Sequence, residues 1–67
     1  MAVVKVIEIL AQSSKSWEDA VNEAISEASK TVNNIQSVYV KEFQTDVENN
    51  KVVAYRVNCK ISFLIER

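Results

Sequence analysis

The chain has 67 residues, of which 48% are apolar, and its net charge is −1. A chain of this length forms one domain, residues 1–67, and buries too little surface to be comfortably stable alone. Because it has one cysteine, Cys59, and no histidine, disulfides and a zinc cluster are excluded. We therefore expect partner subunits to supply the missing stability.

The charged residues are interspersed and form no basic stripe, which argues against nucleic-acid binding. No apolar run is long enough to cross a bilayer, so no membrane partner is expected. The sequence begins without a signal-peptide pattern and has a single free cysteine, which predicts a cytoplasmic location.

The first predicted element is a strand over Ala2–Ala11, rich in Val and Ile and apolar on both faces. A polar loop follows, and Ser16 is expected to cap a helix that begins at Trp17. Asp19, three residues after the cap, forms a weak variant of a capping box.

Apolar residues recur along the helix at steps of three and four, which places them on one face. Asn33 and Asn34 stand where a C-cap glycine is usual, and Asn tolerates the left-handed conformation. The helix is therefore predicted to end just before them. The members of its apolar stripe are Trp17, Ala20, Val21, Ala24, Ile25, Ala28 and Val32.

Two further strands are predicted over Ile35–Val47 and Lys51–Glu66. In the last strand the odd positions from Val53 to Ile65 are apolar, and the even positions include polar residues such as Arg56, Asn58 and Lys60. Because of this period of two, we place the strand in the centre of the sheet. The fold class predicted is α+β, a β-α-β-β chain with a three-stranded antiparallel sheet of order 1-3-2 wrapped on one helix.

The residues between these strands, Asn49-Asn50, suit a two-residue type I′ turn, in which both residues need positive φ. The strand pairs that this turn predicts are Glu48 with Lys51, Val40 with Cys59, and Val38 with Ile61.

The sheet face away from the helix is predicted to be mixed, with too many large apolar groups for a solvated surface. No second helix exists to cover it, so we expect another subunit to do so. Its predicted members are Ser37, Tyr39, Lys41, Phe43, Val47, Val52, Ala54, Arg56, Asn58, Lys60 and Leu64.

Several segments make the sequence resemble the dodecin family over nearly its whole length: Val6-Ile7-Glu8-Ile9, Ser16-Trp17-Glu18-Asp19-Ala20, Ala28-Ser29-Lys30-Thr31-Val32, Val40-Lys41-Glu42, and Tyr55-Arg56-Val57 with Ile61-Ser62-Phe63. Dodecins fold as a three-stranded sheet wrapped on one helix and assemble as hollow dodecamers. They store or buffer riboflavin and FMN, and no turnover is attributed to them. The resemblance implies a homo-oligomer, a dodecamer by family habit, that binds a small ligand and is not an enzyme.

The flavin-holding residues of the family do not carry over to this chain. Ser37 stands where flavin-binding dodecins have a stacking tryptophan, and Arg56 stands where they have a glutamine that bonds the ring edge. Gln44-Thr45 replaces a common Arg-Gly pair. The candidate ligand-binding residues are thus Ser37, Tyr39, Gln44 and Arg56, with the flavin site altered or lost. As an alternative, Tyr39 stacks on the ring and the chain remains a flavin buffer.

Some dodecin-like proteins that lack the tryptophan are linked to calcium instead. The nearest cluster of side-chain oxygens in sequence is Asp46, Glu48 and Asn50, with Asn49 between them. Their spacing does not match an EF-hand loop. A calcium site and an ordinary solvated turn, or a purely structural shell, therefore remain alternatives.

Other residues have structural interpretations that compete with functional ones. Trp17 fits a core or staple role at the first helical turn, and Cys59 fits core packing. Arg56 suits a ligand or a salt bridge with Glu42 or Glu66 of another subunit. No histidine, activated nucleophile or Gly-rich loop supports catalysis.

Overall fold

The computed structural model describes residues 3–65. The elements in chain order are β1 (Val3–Ser13), α1 (Trp17–Ala28), β2 (Ile35–Glu48) and β3 (Lys51–Ile65). β3 lies in the centre and is antiparallel to both neighbours, in the order β1-β3-β2. The predicted α+β fold is confirmed. Two predicted strand ends, Ala2 and Glu66, lie outside the described residues.

Helix α1 begins as predicted, with Ser16 as its N-cap. The Ser16 hydroxyl accepts a hydrogen bond from the Asp19 amide at 3.0 Å. The Asp19 carboxylate does not complete a capping box with Ser16. Its Oδ2 accepts instead from the hydroxyl of Ser13 at 2.6 Å, which fixes the loop between β1 and the helix.

Helix α1 ends at Ala28, so the prediction that it continues to Val32 is wrong. The amides of Thr31 and Val32 both donate to the Ala28 carbonyl, at 3.1 and 3.0 Å, which closes the helix with a tight turn. β-branched residues disfavour a further helical turn, because their side chains lose rotamer freedom there. Asn34 does adopt positive φ, 62°, but in the connection to β2 rather than at the helix cap.

The core lies between α1 and one face of the sheet, here called the core face. Small alanines let the helix approach the strands closely, and Cys59 packs there as predicted. Burial raises the pKa of the Cys59 thiol. The fully buried residues are Ala20, Ala24, Ala28, Val57, Cys59 and Ile61.

The opposite side of the sheet, the far face, carries the even residues of β3 from Ala54 to Leu64. α1 has 12 residues and is about 18 Å long, whereas a 15-residue strand extends for about 50 Å. The helix therefore covers only part of one face of a body measuring 52 × 19 × 13 Å. Large apolar side chains remain exposed on the far face, among them Leu10 at 68% and Tyr39 at 64%.

Within residues 3–65, no helix combines the length and the apolar character that a bilayer crossing requires.

Candidate functional site

The β2–β3 hairpin is closed by the predicted two-residue turn. Asn49 and Asn50 have φ of 53° and 63°, as a type I′ turn requires, and Glu48 pairs with Lys51. The predicted pairs of Val40 with Cys59 and of Val38 with Ile61 are also confirmed. The register is therefore right at both ends of the predicted pairing.

Between these ends, two bulges shift the pairing by one residue. Lys41 is an extra residue in β2, because Val40 pairs with Cys59 and Glu42 with Asn58. Val53 is the extra residue in β3, where the second irregularity occurs. Each bulge adds one residue to one strand and changes which side chains share a face.

The shift corrects the predicted position of three apolar residues. Phe43 pairs with the buried Val57 and lies on the core face, not on the far face. Val47 lies four residues along β2 and pairs with Val52, so alternation places both on the side of Phe43. Between the bulges, the even-numbered residues of β2 therefore lie on the far face, and Gln44 is one of them.

Arg56 is the centre of the polar group that results. Its Nη2 donates to Asp46 Oδ2 at 2.6 Å, and its Nε and Nη2 donate to Gln12 Oε1 at 3.4 and 3.3 Å. Gln44 on β2 lies opposite Arg56 in the β2–β3 strand register. The guanidinium is thus held between β1 and β2. Within residues 3–65 its acidic partner is Asp46. A salt bridge of Arg56 with Glu42 or Glu66 of another subunit stays a prediction.

Ser37 lies at the other end of the far face. Its hydroxyl oxygen lies 2.5 Å from that of Ser62, its register partner on β3. Tyr39, the next residue on this face, pairs with Lys60. Ser62 is six residues from Arg56 along β3, about 20 Å at strand spacing. Ser37 and Arg56 share a face, as expected, but one subunit does not bring them together.

The metal candidates at the hairpin end are not gathered into a site within the chain. Asp46 is paired with Arg56, Glu48 lies opposite Lys51, and Asn50 forms the turn. Residues 3–65 contain no group of three His, Cys, Asp or Glu side chains close enough to hold a metal ion. A cation site using these oxygens would need further ligands, from a second copy for example.

Trp17 has a structural role, in agreement with its sequence position. Its ring makes edge contacts with Phe43 and Tyr55, at centroid distances of 5.7 and 5.2 Å. Its indole N–H donates to the main-chain oxygen of Gln44 at 3.2 Å. The indole is therefore engaged on the core side of the sheet.

Two residues that hold Arg56 were not predicted as ligands of it. Gln12 was not singled out, because its pairing with Arg56 depends on the β1–β3 register. Asp46 was considered only as a metal ligand. The sequence did contain a signal for Gln12. An antiparallel β1–β3 pairing that places Ile9 opposite Cys59 also places Gln12 opposite Arg56.

A cleft on the far face adjoins this polar group. It has a volume of about 300 Å³ and is lined by Leu10, Ala11, Gln12 and Arg56. A larger cavity of about 610 Å³ lies at the opposite end of the sheet, between residues 31–34 and 63–65. Of the two, only the first is lined by a sequence-predicted ligand residue.

Residues 3–66 match the sequence profile of the family described as dodecin. A curated relative, the calcium dodecin of Mycobacterium tuberculosis, is 36% identical over 63 residues, covering 94% of this chain and 89% of the relative. Its crystal structure, described as a calcium-chelating antigen with a novel calcium-binding site, matches with a TM-score of 0.83 at 34% identity, over 96% of this chain and 91% of that one. A point variant of the Thermus thermophilus dodecin matches over the whole of both chains, with a TM-score of 0.94 at 27% identity.

Proposed function

The chain belongs to the dodecin family, and we propose that it is a subunit of a homo-oligomeric protein that binds or stores a small ligand through an altered flavin site. The observation that carries this proposal is the pair of substitutions on the far face. Ser37 is bonded to Ser62, and Arg56 is held by Asp46 and Gln12. Neither position offers the groups that hold a flavin in the family.

The loss of the stacking tryptophan weakens flavin binding. A hydroxyl at Ser37 provides no aromatic surface, and stacking on an aromatic side chain is worth roughly 1–3 kcal/mol per ring by analogy with nucleobases. A symmetric site loses this from two subunits. The combined loss of roughly 2–6 kcal/mol, at about 1.4 kcal/mol per decade, lowers the flavin affinity by a factor of roughly 30 to 20,000.

The second substitution removes an acceptor. A glutamine side chain both donates and accepts, whereas Arg56 only donates. A guanidinium therefore cannot satisfy the N–H of a flavin ring edge, which leaves a donor facing donors.

Self-association is proposed on two grounds from the chain itself. The far face exposes large apolar side chains such as Val6 and Tyr39, and the described residues hold no second helix to cover them. The separation of Ser37 from Arg56 also means that a site using both draws them from different subunits. We propose a dodecamer, the assembly typical of the family.

A titration with riboflavin and FMN, followed by flavin fluorescence, tests the altered site. The mass of the same sample is measured by light scattering. We expect a uniform oligomer and no tight quenching. Tight quenching on the oligomer would instead support a flavin buffer in which Tyr39 supplies the stacking surface. A monomer at micromolar concentration would contradict the proposal as a whole.

Calcium is the second candidate, favoured by the 36% identity with a calcium dodecin. The oxygens of Asp46, Glu48 and Asn50 at the hairpin end, joined by those of a neighbouring copy, are the proposed ligands. A ligand that binds only the folded protein raises its melting temperature. We expect a rise with calcium that magnesium does not reproduce and that Glu48→Gln abolishes. Glu23→Gln, an exposed helix residue with the same charge change, is the control.

Binding without turnover is the proposal for either ligand. The chain has no histidine, and its one thiol, Cys59, is buried in the core with a raised pKa. The cytoplasmic location stays a prediction from the sequence.

A further inference from the structure

Two of the three guanidinium nitrogens of Arg56 have hydrogen-bond partners within residues 3–65. Its five N–H donors include Nε and Nη2, which are taken by Gln12 and Asp46. The two N–H groups of Nη1 have no hydrogen-bond partner within residues 3–65. The side chain is half-buried, 33% exposed, so these free donors are fixed in direction and partly shielded from water.

A cleft with an apolar side chain adjoins Arg56. The cleft has a volume of about 300 Å³ and is lined by Leu10, Ala11, Gln12 and Arg56. Leu10 supplies its apolar side chain on the far face, because Ala11 pairs with the buried Val57 and packs against the core. Leu10 is 68% exposed in the chain. The cleft therefore offers apolar contact for a flat molecule and hydrogen-bond donors at one end.

We propose that this cleft selects ligands whose polar edge carries only hydrogen-bond acceptors, a carboxylate above all, on an apolar planar body. The inference rests on the proposed function and names the ligand class of the same site. A carboxylate oxygen can accept short, charge-assisted hydrogen bonds from the two free N–H groups of Nη1. A mixed edge, such as an amide or imide, places an N–H against the guanidinium and leaves it unpaired.

Asp46 orients Arg56 and also sets the kind of selectivity. Because the two charges form a pair at 2.6 Å, the group carries little net charge. The preference therefore arises from the direction and type of the hydrogen bonds more than from a positive field. The two N–H groups of Nη1 can still donate to a ligand carboxylate while Nη2 donates to Asp46.

The side chain of Gln44 does not supply a fixed hydrogen-bond acceptor beside Arg56. The polar end of the cleft therefore does not gain the mixed donor and acceptor groups that would suit an amide. Gln44 pairs with Arg56 across the strands, but its side chain is exposed and makes no hydrogen bond within residues 3–65. Ordering such a side chain costs rotamer freedom on binding. The pre-oriented Arg56 consequently dominates the choice of ligand.

The test compares naphthoate with naphthamide, two probes of the same shape that differ in the polar edge. Both are titrated into the intact oligomer by calorimetry. We expect naphthoate to bind at least about tenfold more tightly, as charge-assisted bonds to a fixed guanidinium imply. Arg56→Gln, which supplies a mixed edge, should reduce this ratio to within about threefold of unity.

Lys60→Gln is the matched control, because Lys60 lies on the same strand and the same face and the charge change is identical. It should leave the ratio unchanged. Arg56→Lys, a second variant that keeps the charge but lacks the Nη1 donors that Gln12 and Asp46 hold in place, should lose most of the preference. Light scattering confirms that each variant remains assembled.

Three results would overturn the inference. If the parent binds both probes equally, or if Lys60→Gln lowers the ratio as much as Arg56→Gln, the free donors of Arg56 do not select the ligand. In either case the proposed function stands, since the oligomer still binds small molecules. If neither probe binds the assembled protein, the inference is wrong, and the flavin and calcium titrations then decide the proposed function separately.

Discussion

The indole nitrogen of Trp17 and the main-chain oxygen of Gln44 lie 3.2 Å apart, so the first residue of α1 is bonded to β2. Gln44 belongs to the segment that the two bulges shift by one residue. Its neighbour Phe43 packs on the same indole ring. The contacts on the core face thus hold the segment that presents Gln44 and Asp46 on the opposite face.

Trp17→Phe should lower the free energy of unfolding by about 1 kcal/mol, the typical net worth of one hydrogen bond. The phenyl ring keeps apolar contact but has no N–H for the Gln44 oxygen. Urea unfolding at a fixed protein concentration measures the loss, because an oligomer's stability depends on concentration. Tyr39→Phe, at an exposed residue, should cost less than about 0.5 kcal/mol. Equal losses in the two variants would show that the Trp17 hydrogen bond contributes nothing.

Asn50→Ala should destabilise the hairpin by about 1 kcal/mol, because Asn50 has φ of 63° and a Cβ is disfavoured there. Asn50→Gly should be neutral or stabilising, since Asn-Gly is a preferred type I′ pair. Thermal unfolding of both variants measures the difference. The turn conformation is wrong if alanine is tolerated as well as glycine.

The thiol of Cys59 should not react with Ellman's reagent in the folded protein and should react fully after unfolding in urea. Burial raises its pKa, because desolvation disfavours the thiolate. Rapid reaction of the native oligomer would show that the core face is open.

The raised pKa of Cys59 also makes the free energy of unfolding depend on pH. A group whose folded pKa is raised contributes stability that is fully present below the unfolded pKa and is lost as pH rises through the folded pKa. The parent should therefore lose stability at alkaline pH, measured as a drop in melting temperature above about pH 9. Cys59→Ala should lose less over the same range, and an equal drop would assign the effect to other groups.

The double variant Ser37→Trp with Arg56→Gln should raise riboflavin affinity by at least about tenfold, since one stacking contact alone is worth roughly that factor. Fluorescence quenching measures the affinity. Ser37→Trp alone should give part of the gain, and Arg56→Gln alone should give less. If the double variant binds no better than the parent, the alignment of positions 37 and 56 with the family's flavin site is wrong.

Alternation and turn chemistry predicted both ends of the β2–β3 pairing but not its middle. The bulges at Lys41 and Val53 add one residue to opposite strands, so their effects cancel. The pairs of Glu48 with Lys51 and of Val38 with Ile61 are then the same with or without them. Side-chain patterns at the ends carry no trace of such a compensated shift, and Phe43 was placed on the wrong face.

The candidate site was predictable only in part for a related reason. Ser37 and Arg56 were each predictable from the pattern of a single strand. The family resemblance marks them as site candidates, and alternation places them on the same face. The contacts of Arg56 with Gln12 and Asp46 depend on the register of two separate strand pairs. Long-range register is fixed by packing across the sheet, which local sequence patterns specify weakly.

The alternation of β3 also has an evolutionary consequence. Val57, Cys59 and Ile61 fill the core, while Arg56 lies on the other side of the same strand. Substitutions at Arg56 or Ser37 leave the buried packing and the main-chain hydrogen bonds intact. A gene for this chain can thus drift from one ligand to another through point changes that selection for folding does not oppose.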